Sequence, residues 1–239
     1  MKNKAEGGRQ SFDRGLTILQ LLAEHGGLSA TAIAAELGVT QSSATRLLQS
    51  LLKAGLVYKP NFRCFALDIG ILRLAGMALD SFPIVNAAVS LCNRLHEQHG
   101  LGFTVATLDQ GRLVYLAHIE ESHNSAVKIV DRSDYPIGNS SIALSILHQR
   151  GKKAFMEHIR TDDAESLWTR CESDFAKQHF LYLRRFAGNR TNAAMPFILQ
   201  GRLYAAAVFS KDQNIEIKSV RALLMEMTSE LNHSQASRN

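Results

Sequence analysis

The apolar positions of residues 11–67 form three short helical stripes followed by an alternating stretch. Leu16, Ile18, Leu19 and Leu22 make the first stripe, opened by a Ser11 cap and closed at Gly26-Gly27. Ile33, Ala34 and Leu37 make the second. It is capped within Gly27-Leu28-Ser29 and closed by Gly38, since a residue without Cβ suits the left-handed C-terminal position. Thr40 stands ready to cap the third. Its positions Ala44, Leu47, Leu48, Leu51 and Leu52 follow the i, i+3, i+4, i+7, i+8 spacing of a half-buried helix. After Ala54-Gly55, residues 56–58 begin a strand, Lys59-Pro60-Asn61 turns it, and residues 63–67 return. Three helices and a β-wing predict a winged helix-turn-helix over residues 1–67.

Residues 68–82 predict a linker helix whose apolar side (Ile71, Leu72, Ala75, Ala78, Leu79) suits the same helix of a second subunit. Pro83 then opens a helix that turns Ile84, Val85, Ala88, Leu91, Cys92 and Leu95 to a core and ends at Gly100. Beyond it the period changes to two. Residues 103–107 and 113–119 read as strands around Asp109-Gln110-Gly111, with a third strand at 126–130. Residues 139–149 read as a helix, and 161–185 as two more. A second hairpin, 191–199 and 203–210, turns at Gln200-Gly201. The last helix, 215–232, carries Ile217, Val220, Leu224, Met227 and Leu231 on one stripe. Helices interleaved with antiparallel hairpins predict an α+β domain over 83–239, with no βαβ series.

Charge separates the two parts. Residues 1–67 hold eight Lys/Arg against four acids, and the remaining 172 residues are nearly balanced, so most of the net +5 sits at the N-terminal end. In the third helix Ser42, Thr45, Arg46, Gln49 and Lys53 lie opposite the leucine stripe, and no acid occurs in residues 39–67. A solvated helix ordinarily mixes Glu with Lys. Hydroxyls, amides and guanidinium without acids suit phosphates and base edges instead. Lys59 and Arg63 at the wing tip would straddle a neighbouring phosphate.

Other chemistry is thinly represented. Cys64, Cys92 and Cys171 are far apart, which gives neither a zinc spacing nor a disulfide framework, and Cys92 reads as a core thiol. His96-Glu97-Gln98-His99 lacks the i, i+4 histidines of a metalloprotease helix, and Gly100-Leu101-Gly102 lacks a third glycine. Trp168 reads as a packing anchor. No apolar run approaches 18 residues and no leader is recognised, so the expectation is a cytoplasmic protein without membrane contact, cofactor, metal or catalytic residues.

The order of these pieces resembles IclR-type bacterial transcriptional regulators over essentially the whole chain. The resemblance is carried by Arg14-Gly15-Leu16 with Ile18-Leu19, Leu37-Gly38-Val39-Thr40 with Ser42-Ser43, Arg46-Leu47-Leu48, and Leu51 with Gly55-Leu56-Val57. In the larger part it rests on residues 109–115 and on Ala194-Met195-Pro196-Phe197 with Gly201 and Ser210. The family's glycine after the wing is Asp68 here, the glycine–lysine pair after its proline loop is absent beyond Pro136, and Asn192 stands where a cysteine often occurs.

The resemblance implies a GAF-like effector-binding domain. It implies DNA contacts from Thr40, Gln41, Ser42, Ser43, Thr45, Arg46, Gln49, Lys59 and Arg63. It also implies an effector site at Asn139, Ser140, Ser141, Asn192 and Ser210. The polar loop before an apolar helix suits an anion on its own account, although Asn139 or Ser140 as a plain helix cap explains it too. Asp131, Arg132 and Asp134 beside it suit a solvated charge cluster. The expected partners are a double-stranded DNA operator, a small effector such as a carboxylate, and a second copy of the chain, as a homodimer or dimer of dimers. Two alternatives stay open: a constitutive DNA- or RNA-binding dimer without ligand, and an enzyme with a DNA-binding head.

Overall fold

The computed structural model describes residues 2–123, 127–131, 136–186, 190–211 and 215–236. Its contacts divide the chain into two units, 1–81 and 82–239.

The N-terminal unit runs α1 (Lys2–His25), α2 (Ala30–Glu36), α3 (Gln41–Lys53), β1 (Val57–Asn61), β2 (Cys64–Leu67) and α4 (Ile69–Asp80). Ile18, Leu22, Ile33, Ala34, Ala44, Leu48, Val57 and Phe65 form its core, two from each expected stripe and two from the wing. Ser29 caps α2 by accepting from the Ala32 N–H, 3.1 Å away. Gly38, at φ +61°, lets the chain reverse between α2 and α3, a conformation that costs a side chain with Cβ. Leu28 and Phe65 exchange both backbone hydrogen bonds, tying the start of α2 to the wing.

Two local readings change. α1 begins at Lys2, so Ser11 lies inside the helix; Lys2, Lys4, Ala5 and Glu6 are good helix formers that outweigh Gly7-Gly8. In the wing, Lys59 and Pro60 belong to β1 and the turn falls at Phe62-Arg63. Pro60 is tolerated because β1 is an edge strand of a two-stranded sheet. Asn61 then makes the turn, its Oδ1 accepting the Arg63 N–H at 2.9 Å. Asp68, where the glycine is missing, caps α4 by accepting from the Ile69 N–H at 2.7 Å.

The C-terminal unit runs α5 (Ile84–His99), β3 (Gly102–Asp109), β4 (Arg112–Ile119), β5 (Val127–Asp131), a 3-10 turn (Ile137–Asn139), α6 (Ser141–Gln149), α7 (Lys152–His158), α8 (Ala164–Gln178), β6 (Leu181–Phe186), β7 (Arg190–Leu199), β8 (Arg202–Ser210) and α9 (Ile217–Ala236). One antiparallel sheet, ordered β5-β4-β3-β8-β7-β6, carries α5 and α9 on one face and α6, α7 and α8 on the other. The β3–β4 and β7–β8 hairpins turn on Gln-Gly. Gln110 and Gln200 take φ +46° and +50°, and the glycines after them +78° and +74°, the twist that two-residue hairpins need.

Residues 161–185 hold one helix and one strand where two helices were expected, and α7 was not foreseen. His179 at φ +67° ends α8 without a glycine, so nothing in the sequence marks the boundary. Phe180 and Leu181 then enter the core, where β6 begins. Ala126, Arg132, Asp134 and the side chain of Asp131 lie outside the described residues. Among the described residues no single helix is long and apolar enough to cross a membrane.

Candidate functional site

In the N-terminal unit, α3 buries Ala44 and Leu48, which turns Gln41, Ser42, Thr45, Arg46 and Gln49 outward around a shallow depression. Thr40 and Ser43 are engaged in the cap. Thr40 Oγ1 accepts from the Ser43 N–H at 3.3 Å and donates to Ser43 Oγ at 3.0 Å, with Ser42 Oγ also 3.0 Å away. Thr45 donates its hydroxyl to the Gln41 carbonyl one turn back, at 2.8 Å. Arg46 and Gln49 are exposed. Arg63 sits in the wing turn with its guanidinium 5.0 Å from the Phe62 ring centroid. Lys59 lies along β1, its ammonium 4.7 Å from the Phe65 ring centroid, and so is not at the tip.

In the C-terminal unit a small cavity of about 70 Å³ opens between the start of α6 and the sheet. Four of the five residues singled out from the sequence line it: Asn139, Ser140, Ser141 and Asn192. Ser140 is also the α6 cap, accepting from the Ala143 N–H at 3.2 Å. Capping and lining therefore fall on one residue. Ser210 does not join them. It pairs with Thr191, one position out of step with Asn192, so alternation sends its side chain to the other face, where its hydroxyl donates to Glu121 at 2.6 Å.

The rest of the lining was not foreseen: Thr104, Tyr115, His118, Glu120, Arg190 and Phe209 among them. Part of the reason is a bulge. Ala117 pairs with Val105 but Tyr115 pairs with Ala106, so Leu116 is an extra residue. Simple alternation would put Tyr115 and His118 on opposite faces. The bulge brings them together, ring centroids 5.0 Å apart. His118 stacks on Phe209 at 5.6 Å and shares a hydrogen bond with Thr104 across the strand pair, Nδ1 to Oγ1 2.7 Å. Gly102 makes this floor possible, since a Cβ there would run into the Phe209 ring.

Glu120 and Arg190 give the cavity both signs of charge. The Glu120 carboxylate lies 3.0 Å from Lys211 Nζ, 3.7 Å from Arg190 Nη2 and 3.7 Å from His118 Nε2. Burial pushes its pKa up, but the hydrogen bond from Lys211 and the charges of Arg190, Lys211 and His118 outweigh burial and hold it below the usual carboxylate range. The cavity thus offers a guanidinium, an ionised carboxylate, two amides, several hydroxyls and an aromatic floor.

The motifs set aside in the sequence have structural roles. His96 closes the end of α5, with Nδ1 2.7 Å from the Leu101 carbonyl. Trp168 packs edge-on to Phe155 at 5.3 Å. Among the described residues no three His, Cys, Asp or Glu side chains stand together as a metal site.

Comparison with known proteins bears on the helix-turn-helix and on the fold. The family model of the IclR helix-turn-helix domain matches residues 11–60. No curated protein matches the sequence. Solved structures match nearly the whole chain at low identity. An IclR family transcriptional regulator from Brucella abortus is 19% identical, with 94% of this chain and 91% of that one covered and a TM-score of 0.73. An IclR homolog from Microbacterium hydrocarbonoxydans, complexed with 4-hydroxybenzoate, is 16% identical over 95% and 99%, with a TM-score of 0.73. HmgR of Pseudomonas aeruginosa is 20% identical over 93% and 97%, with a TM-score of 0.66. Residues 11–60 are an IclR-type helix-turn-helix DNA-binding domain, and the chain as a whole has the fold of IclR family transcriptional regulators.

Proposed function

We propose that this chain is a ligand-responsive repressor of a catabolic operon, released from its operator by a small acidic metabolite bound in the C-terminal cavity. The observation that carries the reading is the cavity itself, lined by the start of α6 and by Arg190. A carboxylate placed between Arg190 and Ser140-Ser141 meets a guanidinium, two hydroxyls and the positive end of a helix. That a structural relative holds 4-hydroxybenzoate supports the same ligand class.

The DNA-reading residues are Gln41, Ser42, Thr45, Arg46 and Gln49, with Thr40 and Ser43 fixing the start of their helix and Lys59 and Arg63 contacting flanking backbone. Two copies related by a two-fold axis address two half-sites, so their spacing must match the operator. An effector with different affinities for two dimer geometries shifts the balance between them.

The test uses the full chain, its operator duplex and a panel of small aliphatic and aromatic acids. At least one acid should raise the melting temperature and weaken operator binding by about 5- to 150-fold. Ser140→Ala with Ser141→Ala should blunt that response and leave ligand-free DNA affinity near wild type. A double variant with full effector sensitivity means that the effector binds elsewhere.

A further inference from the structure

The depression on α3 is lined by polar residues only, yet its surface is chiefly hydrocarbon. Its centre is Thr45, with Gln41 and Ser42 one turn before, Gln49 one turn after and Arg46 beside it. The Thr45 hydroxyl is tied back to the Gln41 carbonyl at 2.8 Å, and Thr45 is half-buried where Gln41, Arg46 and Gln49 are exposed. Its proton is therefore spent inside the helix, and the γ-methyl joins the aliphatic stems of Gln41, Arg46 and Gln49 in a small apolar dish with a polar, acid-free rim. In the major groove only thymine presents an apolar group on its base edge, the 5-methyl. A dish of this kind rejects an amino group or a carbonyl oxygen, each of which would lose its hydrogen bond to water there.

We infer that Thr45 is a specificity residue that reads a thymine through methyl-to-methyl contact, while Arg46 and Gln49 on the rim supply hydrogen bonds to the neighbouring bases. This rests on α3 being the helix that enters the groove. It adds the base identity at the centre of the half-site and assigns the discrimination to a methyl rather than a hydroxyl.

The test starts with selection of binding sites by the full-length protein from a randomised duplex library. Each thymine of the enriched half-site is then replaced by deoxyuridine, which removes the 5-methyl alone. One replacement should weaken wild type by about threefold to tenfold. Thr45→Val, which keeps the methyl and drops the hydroxyl, should bind the thymine site nearly as wild type does. Thr45→Ser, which keeps the hydroxyl and drops the methyl, should lose the same factor and no longer distinguish thymine from uracil. Both variants lie on a solvated helix side, and unchanged helical content and melting temperature verify their folding. An enriched sequence indifferent to every uracil replacement overturns the inference, and so does Ser retaining affinity while Val loses it. Enrichment of no sequence at all overturns sequence-specific reading by α3 and this inference with it.

Discussion

His148 lies on α6 between the rings of Phe175, stacked at 4.6 Å, and Trp168, tilted at 4.8 Å, and its buried Nδ1 has no hydrogen-bond partner among the described residues. Burial lowers its pKa from the ordinary value, and the nearby Glu172 carboxylate only partly opposes this. A depressed pKa means that the unfolded chain binds the proton more readily. The neutral imidazole's contribution is therefore intact above the unfolded value of about 6.5 and is lost as pH falls through the lower folded value. His148→Phe should flatten this part of the pH dependence in denaturant unfolding between pH 8 and 5. An unaltered slope in the variant would put the proton uptake on another group.

The thiols make a second prediction at this scale. Burial pushes Cys92 and Cys171 up to about 12, whereas Cys64 is partly exposed. Folded protein at pH 8 should show one fast-reacting thiol per chain, and three after denaturation. Two or more fast thiols would mean that the cores open readily.

Cys92 could be read as a core residue because its helix has one clear apolar stripe. Tyr115, His118, Glu120 and Arg190 could not be read as neighbours, because a bulge resets the alternation and the partners come from different strands.

Among the elements, the helix-turn-helix was legible nearly residue by residue, because Ser29, Gly38 and Thr40 each announce a local conformation. The wing turn and β6 were not. Pro60 reads as a turn residue but occupies an edge strand, and His179 ends α8 without the usual glycine. How α4 joins the N-terminal unit was equally hidden. Gly70 is buried against the end of α3, and a Cβ there would overlap the Gly55 carbonyl. Gly70→Ala should destabilise this unit by roughly 1–3 kcal/mol, seen as an earlier thermal transition in the full chain; an unshifted transition would mean that the helix start relaxes freely.

Beyond that anchor α4 is largely uncovered, with Ile69 71%, Leu72 65% and Met77 65% exposed. This is a wider apolar surface than the single stripe expected from the sequence, and we propose that a second copy of the chain covers it. Leu72→Asp with Met77→Asp should leave the fold intact and sharply reduce affinity for a two-half-site operator, with little change on one half-site. Wild-type affinity for the full operator in that variant would place the dimer seam elsewhere.

At the scale of the molecule, the basic excess lies in the part that carries the helix-turn-helix, and the balanced part carries the cavity. That division was legible from charge and periodicity alone, because both are sums over many residues and tolerate local error. The composition of the cavity depends on strand register, and single residues decide it. The central claim is that α3 reads operator DNA, and the most direct measurement is a salt titration of full-length wild type and Arg46→Ala on the selected duplex and on unrelated DNA. A guanine-reading Arg46 predicts a loss of about 1–3 kcal/mol confined to the selected duplex. A phosphate-bound Arg46 predicts a similar loss on both, with the salt slope smaller by about one. Unchanged affinity and slope in a folded Arg46→Ala protein would contradict the account, because the exposed arginine of this acid-free helix face would then not touch DNA.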